Sequence, residues 1–304
     1  MMNNNSRFIT EGKANKARSR LIKAVTKGID SLESYEIKPQ GVFGSEATVI
    51  CGAVTVKSSD LDLEFTVNFD DDMQPNETEI TIYNLSTNTI SQFKKDSEIT
   101  IIAGYKGDTG VIFKGYVTKV QTKRDGADRA TTIKCLDNIK DHTITEITYS
   151  GKTASYILKD LLSKTGLPIA VFKTRRDHTY DSEVKVDGDL MENIKKYSDV
   201  CGVSTYVKNG EIICRHIKEG DDIYFELSEE TGLIGSPQEF EEEQTAEDFK
   251  ETINGYECES LLQHRFAAGG RVKLTSLDAN GEYRICSGKH RFSPDECISE
   301  IKIY

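Results

Sequence analysis

The stretch that decides the fold runs from residue 98 to residue 120 and reads EITIIAGYKGDTGVIFKGYVTKV. In its first half, apolar residues alternate with polar ones, which is typical of a β-strand with one buried face. Gly107 and Asp108 then mark a turn. The run VIFKGYVTKV predicts a second strand, in which Gly115 allows a bulge or a bend.

The same alternation occurs upstream of this stretch. Residues 61–69 read LDLEFTVNF and residues 78–84 read TEITIYN, so each predicts a strand that buries every second side chain. Between strands, NLSTNTISQF predicts a short helix with Ser86 as its N-cap. These patterns together predict a small antiparallel sheet or barrel that carries one helical turn.

The middle of the chain has helical periodicity. KTASYILKDLLSKTGLP, residues 152–168, places apolar residues on one stripe, and Gly166 and Pro168 predict its end. GDLMENIKKYSDVCG, residues 188–202, predicts a second helix that Asp189 caps. STYVKNGEIICRHI follows, and its Asn-Gly pair between β-formers predicts a hairpin. This part is therefore predicted to be a compact α+β insert.

The last third returns to strand patterns. The acidic run EFEEEQTAED, residues 239–248, is interpreted as a solvated loop or helix face. The stretches 98–117 and 271–290 share a layout of strand, glycine-containing turn, aromatic residue and second strand, with a turn expected at Asn280 and Gly281. Either an internal duplication or the general similarity of β-hairpins explains this layout.

Composition excludes several classes of protein. The 304 residues include 50 acidic and 39 basic ones, for a net charge of -11, so a surface that wraps nucleic acid is not expected. No stretch reaches the ~18–20 apolar residues that cross a bilayer, and no secretion signal is present, so we expect cytoplasmic assembly without stable membrane insertion. The seven scattered cysteines lack a CxxC pair and are predicted to be buried, reduced thiols.

No local motif predicts chemistry. Nucleophile elbows, phosphate-binding loops and zinc-protease motifs are absent from the sequence, and the five histidines are far apart. The triplet Asp70, Asp71 and Asp72 lacks the ligand spacing of a calcium loop and is interpreted as a polar turn. We therefore predict no enzymatic activity, no catalytic, cofactor or metal site, and no cofactor. A wall-degrading enzyme with paired carboxylates or a sugar-binding adhesin remains the alternative.

Several stretches resemble one known family. EITIYNLSTNTISQF, residues 79–93, the stretch 98–120, and the C-terminal residues 255–304 are similar, in order and spacing, to the baseplate hub proteins of contractile phage tails and phage-tail-like bacteriocins, the late control protein D-like hubs. The similarity covers about residues 45–304. Its C-terminal motif consists of Ser260, Leu261, Leu262, Gly270, the run Gly281, Glu282, Tyr283, Arg284 and Ile285, and then His290.

The resemblance implies a structural role. Hubs of this family are homotrimers whose subunits each supply two tube-like antiparallel β-barrels, so that a pseudo-hexameric ring meets the sixfold tail tube and a threefold central spike. It implies the tail tube protein, a separate central spike protein and other baseplate proteins as partners, and the baseplate of a virion or tail-like particle as the location. Interface residues cannot be named from it.

The sequence and the resemblance together predict four segments. These are a basic N-terminal arm at 1–40, a first β-barrel domain at 41–148, an α+β insert at 149–217 and a second β-barrel domain at 218–304. For the arm, a flexible tail and a segment that docks on an acidic neighbour are both open interpretations.

Overall fold

The computed structural model describes residues 44–126, 128–137, 143–208, 210–221, 224–246 and 249–304. The predicted basic arm at 1–40 lies outside the described residues. The described chain is mostly β, with an α+β part in the middle, and this confirms the predicted fold class.

The described residues of the first β region form seven strands and one helical turn. The turn, α1 (Thr87–Ile90), begins where Ser86 accepts a hydrogen bond from the Thr89 amide, as the sequence predicts. The strands Leu63–Phe69 and Glu98–Tyr105 bury mostly alternate side chains, so the alternation read from the sequence is confirmed. The strands are β1 (Ser45–Cys51), β2 (Val54–Lys57), β3 (Leu63–Phe69), β4 (Glu77–Tyr83), β5 (Glu98–Tyr105), β6 (Asp108–Asp125) and β7 (Asp128–Leu136).

The middle region forms two small sheets and two helices. Helix α2 (Ala154–Lys164) buries the predicted apolar stripe, and α3 (Leu190–Cys201) begins at Asp189, whose carboxylate accepts from the Glu192 amide. Gly202 ends α3 at φ 66°, a left-handed conformation that favours glycine. The strands are β8 (Thr143–Tyr149), β9 (Ile169–Phe172), β10 (Val184–Asp189), β11 (Ser204–Lys208) and β12 (Glu211–Arg215).

Pairing in the middle region follows the predicted hairpin. β11 pairs with β12 in antiparallel register across Gly210, while Asn209 lies outside the described residues. β9 adds to β12 in parallel and forms the edge of this three-stranded sheet. β8 pairs with β10, so the strand at the end of the predicted 41–148 segment is hydrogen-bonded to the insert. The four predicted segment boundaries stay a prediction.

The last region is again β. Its described residues form one 3-10 turn at Glu229–Thr231 and six strands. They are β13 (Tyr224–Leu227), β14 (Leu233–Ala246), β15 (Phe249–Leu261), β16 (Arg271–Thr275), β17 (Asn280–Phe292) and β18 (Cys297–Ile303).

Two expectations for this region are wrong. The acidic run is not a loop or a helix face: residues 239–246 belong to β14, which pairs with β15 as a long antiparallel ribbon. The pairing of backbone groups along the whole ribbon prevails over the low β-propensity of glutamate. The turn expected at Asn280 and Gly281 lies at residues 276–279, where the Ser276 hydroxyl group bonds to the backbone of Ala279.

One sheet of thirteen strands joins the first and last regions. Its path is β14-β15-β18-β17-β3-β4-β7-β6-β5-β1-β2, and β16 and β13 branch from β17. The ladder between β3 and β17 connects the two regions directly. Within the described residues no ladder joins β14 to β2, so the path is open at both ends.

The two β regions have the same strand order. In the first it is β3-β4-β7-β6-β5-β1, and in the last it is β14-β15-β18-β17-β16-β13. One pair differs in direction, because β1 and β5 are antiparallel whereas β13 and β16 are parallel. The stretches that share a layout in the sequence are the equivalent hairpins β5-β6 and β16-β17. The common order supports the duplication rather than chance similarity.

One long strand in each of the two β regions changes its partner strand near a glycine. β6 pairs with β5 up to Tyr116 and with β7 beyond it, and β17 likewise passes from β16 to β18 at Ile285. Both ladders have a register shift just after this point. Gly115 and Gly288 lie within three residues of it and approach a neighbouring backbone so closely that a Cβ atom would not fit. The irregularity in β6 lies between Val117 and Lys119, two residues after Gly115, where the sequence predicts a bulge or bend.

Buried side chains form three clusters, one for each region. All seven cysteines are free thiols, and six of them are buried, which confirms the prediction for those six; Cys297 is half-buried. Some residues of one region pack in the cluster of another: Phe292 of β17 packs in the first cluster, where its ring stacks on that of Phe65 at 5.1 Å. Met73, from the loop after β3, packs in the cluster of the insert.

Candidate functional site

Arg284 on β17 occupies the point where the three clusters meet. Its side chain is 3% exposed, and Nη1 donates to Asp71 Oδ2 and to Tyr304 Oη, both at 2.6 Å. Nε donates to the carbonyl oxygen of Glu219 at 3.1 Å. The guanidinium plane also lies over the rings of Tyr206 and Tyr304. A buried arginine is stable only with such partners, because an unpaired charge away from water is costly.

Asp71 connects Arg284 to the rest of the molecule. It lies in the loop between β3 and β4, and its carboxylate also accepts a hydrogen bond from Tyr304 Oη at 3.0 Å. Its carbonyl oxygen accepts from the Ser204 hydroxyl group of the insert at 2.6 Å. The aspartate triplet is thus a polar loop between strands, as expected, and one of its members ties all three regions together.

Arg215 forms a second half of the same network. This arginine on β12 is 8% exposed and donates to Tyr206 Oη at 2.7 Å, to Asp221 Oδ1 at 2.9 Å and to the Gly269 carbonyl oxygen at 3.0 Å. Burial raises the pKa of Asp221, but hydrogen bonds and charge from Lys208 and Arg215 hold that pKa below its ordinary value. The ring of Tyr206 lies close to the guanidinium groups of both Arg215 and Arg284, so it connects the two halves of the network.

A cleft of about 820 Å³ opens beside this network. Its walls come from the insert, from the segment 217–221 and from the last β region. The lining contains five cationic side chains, which are Lys173, Arg215, Lys218, Arg271 and Arg284. It also contains three carboxylates, which are Glu219, Asp221 and Glu282.

A second polar junction links the first hairpin to the last region. Arg265 Nη1 and Nη2 donate to the two carboxylate oxygens of Asp108 at 2.8 and 2.7 Å, which is a bidentate pair. His264 Nε2 lies 3.0 Å from the same carboxylate. The hydrogen bonds from Arg265 and His264 lower the pKa of Asp108 to about 2. A Cβ atom at Gly110 would lie 2.1 Å from His264 Nδ1, so glycine is required there.

His290 is a buried structural residue near this junction. Its Nε2 donates to the Phe266 carbonyl oxygen at 3.1 Å, and Nδ1 accepts from Ser299 Oγ at 2.8 Å. The imidazole ring is 0% exposed and packs against Phe69. Burial disfavours the charged ring and lowers the pKa of His290 to about 4.

His290 is expected to stay neutral between about pH 8 and about pH 5. The pKa of His290 in the folded protein lies below the ordinary value of about 6.5, so on acidification the unfolded chain binds the proton first. The stability that the neutral ring contributes is therefore lost as the pH falls from about 6.5 to about 4. NMR titration of the imidazole resonances in the folded protein measures this directly. A midpoint near the ordinary histidine value would contradict it.

One pair of carboxylates shares a single amide group. The side-chain Nδ2 of Asn76 donates to Asp70 Oδ1 at 3.2 Å and to Asp137 Oδ2 at 3.1 Å. The backbone N–H of Asn76 donates to Asp137 Oδ1 at 2.8 Å. Burial raises the pKa of both acids to about 6. The sequence singled out no such pair. The carboxylates lie outside the residues that line the cleft, and both are engaged in holding the loop between β3 and β4.

Asp70→Asn is expected to stabilise the protein at pH 7 by about 1–2 kcal/mol. Oδ1 of the new amide can keep both hydrogen bonds that Asp70 Oδ1 accepts, and the cost of a buried charge is removed. The pKa of Asp70 is higher in the folded protein than in the unfolded chain, so protonation of Asp70 favours folding. In the wild-type protein this contribution to the free energy of unfolding is lost as the pH rises from about 4 to about 6. Urea unfolding at two pH values tests this: the advantage should vanish near pH 4, and an equal effect at both values would contradict it.

Comparison with known proteins decides the family. The family model for baseplate hub gp41 matches residues 77–288, which include Asp108, Arg215, His264 and Arg284. The chain belongs to the baseplate hub gp41 family. This confirms the predicted resemblance to baseplate hubs of phage tails. No curated protein matches the chain at a significant level.

Solved structures of tail proteins share the fold of this baseplate hub family member. A prophage MuSo2 43 kDa tail protein from Shewanella oneidensis matches with a TM-score of 0.63 and 10% identity over 86% of this chain and 97% of that one. A tail protein from Neisseria meningitidis MC58 matches at 0.61 with 9% identity over 86% and 96%. An E. coli component of the type VI secretion system matches at 0.57 with 9% identity over 84% and 76%.

The motif that carried the resemblance lies at the two junctions of this hub. Arg284 and Glu282 line the cleft, while His290 and Leu262 lie in the contact between the β regions. The sequence did not reveal that these residues would meet Asp71 or Tyr206, because no spacing rule connects positions so far apart. Within the described residues, no helix is long and apolar enough to span a membrane, and no three His, Cys, Asp or Glu side chains could together hold a metal ion.

Proposed function

We propose that this chain is the trimeric central hub of a contractile tail or tail-like particle, joining a sixfold tail tube to a threefold central spike. Family membership establishes the coarser statement, a structural role in the tail baseplate. The proposal adds the symmetry, the partners and assembly in the cytoplasm of the bacterial host. It assigns no catalysis to the chain.

One observation carries the proposal: the two β regions have the same strand order. Two similar units in each chain become six units in a trimer, and six units can meet a sixfold ring while the three chains meet a threefold partner. The predicted segments 41–148 and 218–304 would be the two tube-like domains, with the insert 149–217 between them.

The open ends of the sheet supply surfaces for this assembly. β2 and β14 end the path, so each has one edge without a partner strand in the described part of the chain. Exposed edges are a liability in a monomer, since they pair with other chains, but they are useful in a ring. Neighbouring hubs and tube subunits would cover these edges.

The buried junctions suit a component that transmits force. Arg284 and Asp71 fix the last region to the first, and Ser204 and Arg215 fix the insert to both. A part that passes a baseplate rearrangement to tube and sheath has to move as one body. The polar network provides this rigidity because its bonds are directional and buried.

Light scattering of the purified protein, alone and mixed with the tube protein of the same particle, tests the proposal. The expected mass is three times the 34.0 kDa of the chain, alone or once the tube protein is present. A single-chain mass that persists with both tube and spike proteins would overturn the trimeric hub.

A further inference from the structure

We infer that the cleft beside Arg284 binds an extended acidic segment of a partner protein, which adds as a β-strand to the free edge of β15. This surface differs from the edges of β2 and β14 that the proposed trimer would use. The inference therefore stands or falls independently of the trimer.

The charge of the cleft indicates an anionic ligand. Residues 218–304 contain 20 acidic and 9 basic residues, yet the lining of the cleft combines five cations with three carboxylates. Lys173 contributes little to folding, since its side chain is 70% exposed and its contact with Glu219 is 3.7 Å long. Asp71, which pairs with Arg284, adds a fourth carboxylate beside the cleft, so one cationic charge is in excess. Within a strongly acidic region, this excess favours acidic partners over basic ones.

The buried arginines offer unused donors. Arg284 Nη2 and Arg215 Nε are buried and have no hydrogen-bond partner in the described part of the chain. Buried donors of charged groups are almost always paired, so each of these needs an acceptor. Both side chains line the cleft, and a carboxylate of a bound segment could accept from these donors once the guanidinium groups turn toward it.

The backbone of β15 supplies the second half of the site. Its ladder with β18 ends at Tyr256, so in the described part of the chain residues 249–255 pair only with β14 and have no partner strand on their other edge. Thr252 and Asn254 of this part line the cleft. An extended peptide can pair with such an edge through its main chain, while every second side chain points to one face.

The lining favours a peptide over a nucleic acid. Val171, Ile217 and Tyr283 give the cleft apolar surface for the side chains of a peptide. Glu219, Asp221 and Glu282 interrupt the cations, which would disfavour a continuous line of phosphates. A strand edge offers main-chain donors and acceptors that match a peptide and not a sugar-phosphate backbone.

The probe is a fluorescein-labelled peptide of eight residues that alternates glutamate and valine, with both ends blocked. Its binding to the full chain is measured by fluorescence anisotropy at low ionic strength. We expect saturable binding that weakens as salt is added, because the contacts are charged. A matched peptide of lysine and valine should bind at least about tenfold more weakly.

Charge reversal locates the site. Lys173→Glu together with Lys218→Glu changes two exposed residues of the cleft and should weaken binding at least about tenfold. Lys185→Glu together with Lys195→Glu makes the same change on exposed residues of the insert outside the cleft and should leave affinity within about twofold. If the first pair disturbs folding in a thermal melt, Lys173→Ala with Lys218→Ala replaces it, with a smaller loss expected.

Strand addition has its own control. A peptide with proline in place of alternate valines keeps the charge but lacks the main-chain N–H donors of those residues, and should also bind about tenfold more weakly. The inference is overturned if the wild-type chain does not bind the acidic peptide, if the cleft variants bind it unchanged, or if the proline peptide binds equally well. Tighter binding of a labelled single-stranded oligonucleotide would overturn it in favour of a nucleic-acid site.

Discussion

Arg284→Leu is expected to lower the free energy of unfolding by about 3–5 kcal/mol. Leucine fills much of the space but leaves the Asp71 carboxylate, which is only 19% exposed, without its cation, and the Tyr304 hydroxyl group without a donor. The Glu219 carbonyl oxygen also loses its partner. Urea unfolding followed by circular dichroism gives the value.

Two further variants make this result specific. Arg271→Leu removes a neighbouring arginine whose ion pair with Glu282 is exposed, 37% and 53% for the two side chains, so it should cost no more than about 1 kcal/mol. Adding Asp71→Asn to Arg284→Leu removes the unpaired charge and should recover part of the loss. Equal costs for Arg284→Leu and Arg271→Leu would show that Arg284 does not hold the regions together.

Gly115→Ala and Gly288→Ala are each expected to cost about 3 kcal/mol. A Cβ atom at Gly115 would lie 2.1 Å from the carbonyl oxygen of Leu136, and one at Gly288 would lie 2.4 Å from that of Glu300. In both cases the obstacle is backbone of a paired strand, which cannot move without breaking its ladder. Thermal melts and urea unfolding of the two variants measure the loss.

Lysines on the same strands serve as controls. Lys119 on β6 is exposed, and Lys289 on β17 is half-buried and pairs with Glu300 near the surface. Lys119→Ala and Lys289→Ala should each change stability by less than about 1 kcal/mol. Similar losses for the two glycine variants would show that the bend has the same importance in both β regions. A loss at only one of them would contradict the equivalence of the regions.

The duplication that the strand order supports is weak in sequence. Gly115 and Gly288 both lie near the point where their strand changes partner, but Gly115 pairs with β5 before that point and Gly288 pairs with β18 after it. The correspondence became clear only from the order of the strands.

Local signals predicted most elements. Alternation predicted β3, β4 and β5, helical spacing predicted α2 and α3, and their caps lie where Asp189 and Gly202 indicated. These features depend on side-chain periodicity and on hydrogen bonds between residues close in sequence, and a short stretch of sequence specifies both. The acidic strand β14 escaped prediction, since its charged residues have low β-propensity and the neighbouring strand alone stabilises it.

The sequence by itself determined the mostly β composition, the α+β insert, the reduced cysteines and, through ordered motifs, the resemblance to baseplate hubs. Only the tertiary structure decided that β3 pairs with β17, that Arg284 meets Asp71 across 213 positions, and that five cations line one cleft. The physical reason is that such contacts result from the summed packing of three cores. A local pattern specifies which face of a strand is buried but not which distant strand covers it.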